Sequence, residues 1–186
     1  MIGVYIAIGA AVVVLFWVIA NYNALVRLRQ HCRESWSGID TELKRRYELI
    51  PNLVETVKGY AKHEREVLQA VVEARNRAVA STGSPRQQAD DENAFVGTVR
   101  RLFAVAEGYP DLKASRNFLA LQEELANTED RIQAARRFYN ANVRDLNTRI
   151  QVFPSSLIAS LFGFQPEQFF EIEGAHVRQP PPVELP

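Results

Sequence analysis

Apolar residues along this chain follow two regimes. Over the first twenty positions, MIGVYIAIGAAVVVLFWVIA, they are nearly continuous and no side chain is charged. Beyond that point they recur every third or fourth residue. As a helix the first stretch spans about 30 Å, the hydrocarbon thickness of a bilayer. Eleven of its residues are Ile, Val, Leu or Phe, which favours insertion by about 3 to 7 kcal/mol. No Lys or Arg precedes the run, and it exits through Asn21-Tyr22-Asn23 without a small-x-small site, so an anchor is expected rather than a cleaved signal peptide. Gly3, Ala7 and Ala11 recur at four-residue spacing. They form a candidate face for close approach of a second transmembrane helix.

In the second regime, Leu25, Leu28, Cys32, Trp36, Ile39, Leu43, Tyr47, Ile50, Val54, Val57, Ala61, Leu68 and Val71 trace one stripe. This predicts a long amphipathic helix kinked at Pro51, with two abutting helices as the alternative. Residues 81–88 read as a surface loop. A shorter helix is expected from about Asp91, with Phe95, Val99, Leu102, Phe103 and Ala106 on one face, stopping at Gly108-Tyr109-Pro110-Asp111. The cleanest stripe runs from Phe118 through Leu125, Ile132, Tyr139, Val143 and Leu146 to Phe153, and Pro154 ends it. Ser155 is the expected cap of a last short helix through Phe162. From its end onward Phe162, Phe164, Phe169, Phe170 and Ile172 are expected to fold back onto the helices, and Gln179-Pro180-Pro181-Pro182 reads as an unstructured terminus, with a polyproline II segment as the alternative. No segment alternates apolar and polar residues. The expected fold is therefore all-α: a transmembrane anchor at residues 1–21, a bundle of antiparallel helices at 22–162, and a mostly irregular tail at 163–186.

Charge orients the anchor and narrows the chemistry. Arg27, Arg29 and Arg33 lie just past the span, with Glu34 the only acid before Asp40, so the positive-inside bias places the bundle in the cytoplasm and the N terminus outside. Trp17 and Tyr22 fall at the inner interface and Tyr5 near the outer one. Residues 21–79 carry eleven basic and eight acidic groups against eleven and fourteen in 80–186. The membrane-proximal half thus suits anionic headgroups, making membrane lipid an expected partner. The net charge of zero argues against nucleic acid. A single cysteine, Cys32, excludes an internal disulfide and reads as a small buried hydrophobe. No cofactor or metal is expected: His31, His63 and His176 lack a second ligand at metal spacing, and His63-Glu64-Arg65-Glu66 lacks the second His of a zincin motif. There is no Gly-rich phosphate loop and no nucleophile elbow.

What remains is polar patterning. Gln122, Glu129 and Arg136 follow heptad spacing beside the last long stripe, flanked by Asn140 and Asn147; Arg33, Asp40 and Tyr47 do the same on the first helix. Such rows pair across a helix seam and fix register. The alternative is a partner-recognition patch built from Arg45, Arg46, Asn52 and Glu55 near Pro51, with Arg137 and Asn140 opposite. Glu129 and Arg136 are expected to pair with the first helix through groups such as Asp40 or Arg33.

Several ordered pieces resemble one family: Trp36-Ser37-Gly38-Ile39-Asp40, Leu43-Lys44-Arg45-Arg46-Tyr47, the run at 49–57, Glu107-Gly108-Tyr109-Pro110-Asp111-Leu112-Lys113, Asn117-Phe118-Leu119, Arg136-Arg137-Phe138-Tyr139-Asn140 and Phe153-Pro154. In this order they look like the LemA family, from about residue 21 to the C terminus. The resemblance implies a bacterial inner-membrane protein with one N-terminal span and a cytoplasmic helical bundle, and it carries no established catalytic residue. Residues 183–186 depart from the short alternating apolar ending of the family. The function expected is a non-enzymatic scaffold or adaptor with protein partners or self-association. The rival is a subunit of a membrane-associated enzyme or signalling complex whose site forms only with a partner, from residues such as Glu107, Tyr109 and Arg136.

Overall fold

A computed structural model describes residues 1–172. The expectations for His176, the proline run at 180–182 and the ending at 183–186 lie outside those residues. The described chain is all-α: α1 Ile2–Tyr60, α2 Arg65–Ala80, α3 Pro85–Ala106, α4 Pro110–Lys113, α5 Arg116–Gln151 and α6 Ser155–Leu161. It divides into two compact units, one of Met1–Thr41 with Ala134–Phe170, the other of Glu42–Gln133 with, among the described residues, Glu171 and Ile172.

In the first unit, the opening twenty residues of α1 are exposed almost throughout. Their hydropathy and length suffice to cross a membrane, and none of the most apolar window is spent on packing. Burial begins at Asn21 and Leu25 and continues through Cys32 and Ile39, joined in this unit's core by Tyr139, Val143, Leu146, Ile158 and Ala159. The ends of α5 and α6 are tied by side chains. Ser155 does not cap α6; its hydroxyl instead donates to the carbonyls of Arg149 and Val152 at the end of α5. At the far end of α6, the Phe164 amide donates to Ala159 O (2.9 Å) and the Gly163 amide to Ser160 O (3.3 Å). This is a Schellman closure, and Gly163 supplies the positive φ of 69° it requires.

The second unit departs from the expected course in two places. The long helix runs through Pro51 unbroken but ends at Tyr60 and does not continue through Leu68 and Val71. Residues 61–64 turn, and α2 then returns to pack against α3. The break falls where the apolar stripe skips from Ala61 to Leu68 and leaves Lys62 and His63 exposed; with no apolar contact to hold it, that turn of helix is lost. The second departure is the start of α3 at Pro85, inside the expected loop. Ser84 caps it, accepting from the Gln87 amide, and Pro85 occupies the first turn, where its missing N–H is no loss.

Pro51 explains how α2 docks. A proline at 51 cannot donate to the carbonyl of Tyr47, four residues back. Arg75 of α2 takes that acceptor, its Nε donating to Tyr47 O at 3.3 Å. Pro51→Ala restores the intrahelical donor, so Arg75→Ala should cost about 1 kcal/mol more in the wild type than in Pro51→Ala. A double-mutant cycle by chemical denaturation reads this coupling, and strict additivity would remove the assigned role of Arg75.

Candidate functional site

Three charged groups of the second unit converge where α1, α3 and α5 meet. Arg46, 4% exposed, ion-pairs with Glu92 of α3, and its Nη1 reaches Glu129 of α5 at 2.9 Å. The Tyr47 hydroxyl also donates to Glu92. The guanidinium packs over the Phe95 ring, 5.3 Å from its centroid. Burial pushes the Glu92 carboxyl above its ordinary value, while Arg46 and the Tyr47 hydrogen bond pull it back. Beside this cluster lies a cavity of about 220 Å³, walled mainly by Ile50, Phe95, Val96, Val99, Phe103 and Leu125, with Arg46 and Glu129 among its polar lining. One cation is thus held between two acids, sealed on one side by apolar side chains.

In the first unit, two asparagines of α5 hold the segment after Gly163. The Asn147 side chain donates to Glu167 O and accepts from the Glu167 amide, both at 2.9 Å. Asn140 makes the same pair with Phe170, at 3.0 and 2.9 Å. Between them the Tyr139 hydroxyl donates to Gln168 O at 2.9 Å. Burial is the main cause raising the Tyr139 hydroxyl far above its ordinary value. This strap buries Phe164 and Phe170, as expected of the tail, whereas Phe162 and Phe169 stay partly exposed. Phe170 stands edge-on to Trp36 at 5.2 Å. Nearby, burial raises the Cys32 thiol to about 11, helped by Glu167 and Asp145, so no thiolate is available near neutrality.

A third feature is an open groove of about 790 Å³ along the end of α1 and α2. Val54, Leu68 and Val72 line it with Lys58, Lys62 and Arg65, against the single acid Glu55.

The expected site residues therefore separate. Arg46 and Glu129 come together, and the partner of Glu129 on the first helix is Arg46. Glu92, the second acid on Arg46, lies in the second residue of what was expected as the start of a helix and carried no heptad signal. Arg45 pairs along its own helix with Glu42 at 3.2 Å, and Glu55 with Lys58 at 3.2 Å. Asn52 and Arg137 are exposed, while Asp40 and Arg136 are half-buried. Asn140 serves the strap. Gly3, Ala7 and Ala11 sit on the exposed span, and a Cβ at Gly3 would meet nothing within 4 Å. Tyr109 donates its hydroxyl to Glu64 at 3.1 Å, which ties the turn before α2, and Glu107 is exposed. Among the described residues no group of His, Cys, Asp and Glu is arranged to hold a metal ion.

The sequence profile of the LemA family matches residues 35–185. The chain is 27% identical to Protein LemA of Metamycoplasma hominis, over 77% of this chain and 66% of that protein. It is 23% identical to Magnetosome protein MamQ of Magnetospirillum gryphiswaldense, over 89% of this chain and 70% of the relative. The figures are the same for Magnetosome protein MamQ 1 of Paramagnetospirillum magneticum.

Proposed function

Because the chain belongs to the LemA family, we propose that it is a single-pass membrane scaffold whose helical units lie in the bacterial cytoplasm and gather partner proteins at the inner face of the membrane. The observation that carries this reading is α1. One helix holds the charge-free, exposed span and then, from Leu25 onward, buries its apolar stripe. The arginines at 27, 29 and 33 support a cytoplasmic location for the helical units. The buried polar groups support a structural role, since Arg46 is occupied by two acids and Asn140 and Asn147 by the strap. The relatives are named for a magnetosome and for the family itself, and neither name is a reaction.

The basic groove between α1 and α2 is the surface assigned to partners, with an acidic amphipathic segment as the complement to Lys58, Lys62 and Arg65. A fluorescent protein that matures only in the cytoplasm, fused after Pro186, is expected to fluoresce. In-cell photo-crosslinking from a probe at Gln69, in the groove lining, should capture partner peptides, and the Lys58→Glu/Lys62→Glu protein should lose them while melting as before. A dark fusion would invert the topology, and an unchanged crosslink profile would take the groove out of the scaffold role.

A further inference from the structure

We infer that α6 and the turn before it form a second membrane contact, lying flat in the headgroup region beside the end of the α1 span; this rests on the membrane-anchored reading above. The segment Ile150–Pro166 runs seventeen residues without a charged side chain. Buried Ile158 and Ala159 hold one face of α6 to the unit. The exposed side carries large apolar residues as well: Leu157 is 59% exposed and Leu161 74% on the helix, with Phe153 79% just before it and Phe162 50% just after. A soluble surface rarely presents so many large apolar side chains together without a partner.

Position identifies that partner. Tyr22, two residues past the apolar run, packs its ring on Phe162 at 4.8 Å. Arg149, at the end of α5, donates from Nη2 to Asn21 Oδ1 at 2.6 Å. Both contacts hold α6 at the level where α1 leaves the hydrocarbon, within about one helical turn of Ala20. Here an apolar helix face meets the acyl boundary while its ends stay at headgroup depth. The surroundings are cationic: Arg27 is exposed and the Arg29 guanidinium lies 5.0 Å over the Phe164 ring. The occupant is therefore the bilayer that α1 already crosses, with anionic headgroups preferred at its surface.

The test uses the full chain in nanodiscs of phosphatidylcholine and phosphatidylglycerol, on a Cys32→Ala background, with a nitroxide placed in turn by Leu161→Cys, Val13→Cys and Glu123→Cys. Accessibility to oxygen, which partitions into lipid, is compared with accessibility to a water-soluble nickel chelate. The label at 161 should show an oxygen-to-nickel ratio severalfold above that at 123, and approach the label at 13. A lipid-like ratio at 13 with a water-like ratio at 161 would overturn the α6 contact alone. Water-like ratios at both would overturn the membrane anchoring on which it rests. A label at 161 shielded from both reagents would mean that protein covers this face, which also overturns the inference.

Discussion

Arg46→Ala is expected to destabilise the protein by about 3 to 5 kcal/mol, measured by isothermal denaturation of the full chain in nanodiscs. Removing one member of a buried ion pair leaves the other charge uncompensated in a poorly solvated site. Here two acids lose the same cation, because Glu92 and Glu129 both bond to Arg46. Arg46→Lys should recover only part of the loss, since an ammonium cannot present two parallel donors to two carboxylates. The double replacement Arg46→Met/Glu92→Leu should be less destabilised than Arg46→Ala, because it removes a buried charge along with its partner. A loss below about 1 kcal/mol, the range of a solvent-exposed pair, would mean that the cluster is hydrated in solution.

The same cluster sets a pH dependence with a definite sign. Burial holds the Glu92 carboxyl above its ordinary value in the folded protein, while unfolding returns it to about 4.3. Between those two values the folded state binds the proton more tightly than the unfolded chain. The contribution of Glu92 is therefore fully present below the unfolded value and declines as pH rises through the raised folded one. Subtracting the stability curve of Glu92→Gln from that of the wild type isolates this decline. In Arg46→Ala the decline should steepen, because the cation that pulls the carboxyl back is gone.

Phe170→Ala carries the second large expectation, a loss of about 3 to 5 kcal/mol for a fully buried aromatic. The ring is 0% exposed and stands against Trp36, so tryptophan emission should shift to the red as the contact opens. Asn140→Ala attacks the same strap through its backbone. It removes the donor and the acceptor that satisfy Phe170, at about 1 to 3 kcal/mol, and should admit proteolytic cleavage after Gly163. Asn140→Asp keeps the acceptor and loses the donor, so it should fall between the two. Cleavage that stays absent in Asn140→Ala would show that the aromatic anchors hold the strap without help from α5.

Side chains that signal their own role were legible in the sequence; groups whose role depends on a distant backbone were not. The span at residues 1–20 and the stripes of α1 and α5 are periodic, and periodicity survives folding because burial creates it. The passage through Pro51 was readable from an apolar phase that does not slip. Arg75, which makes that passage tolerable, has no mark in sequence, since its acceptor is a main-chain carbonyl twenty-eight residues earlier. Ser84-Pro85 is a strong start signal that the polar composition of residues 81–88 obscured. The heptad row contained Glu129, but its partner on the first helix is Arg46 and not Arg33, and Arg46 lies outside the row at Arg33, Asp40 and Tyr47. Asn140 and Asn147 stood out by spacing, yet what they bind is peptide bonds, and any sequence could supply those.

That last pairing has a metric basis. Seven residues of α-helix advance about 10.5 Å at 1.5 Å each, and three residues of extended chain advance about 10 Å at 3.3 Å each. Asn147 with Glu167 and Asn140 with Phe170 sit at those intervals, running in opposite directions. Helix and strap are commensurate, like two rulers whose marks coincide once per heptad. An asparagine at each coincidence treats the passing chain as a neighbouring strand, so the recognition measures spacing rather than side-chain identity. A helix surface has thereby acquired a property usually reserved for sheet edges.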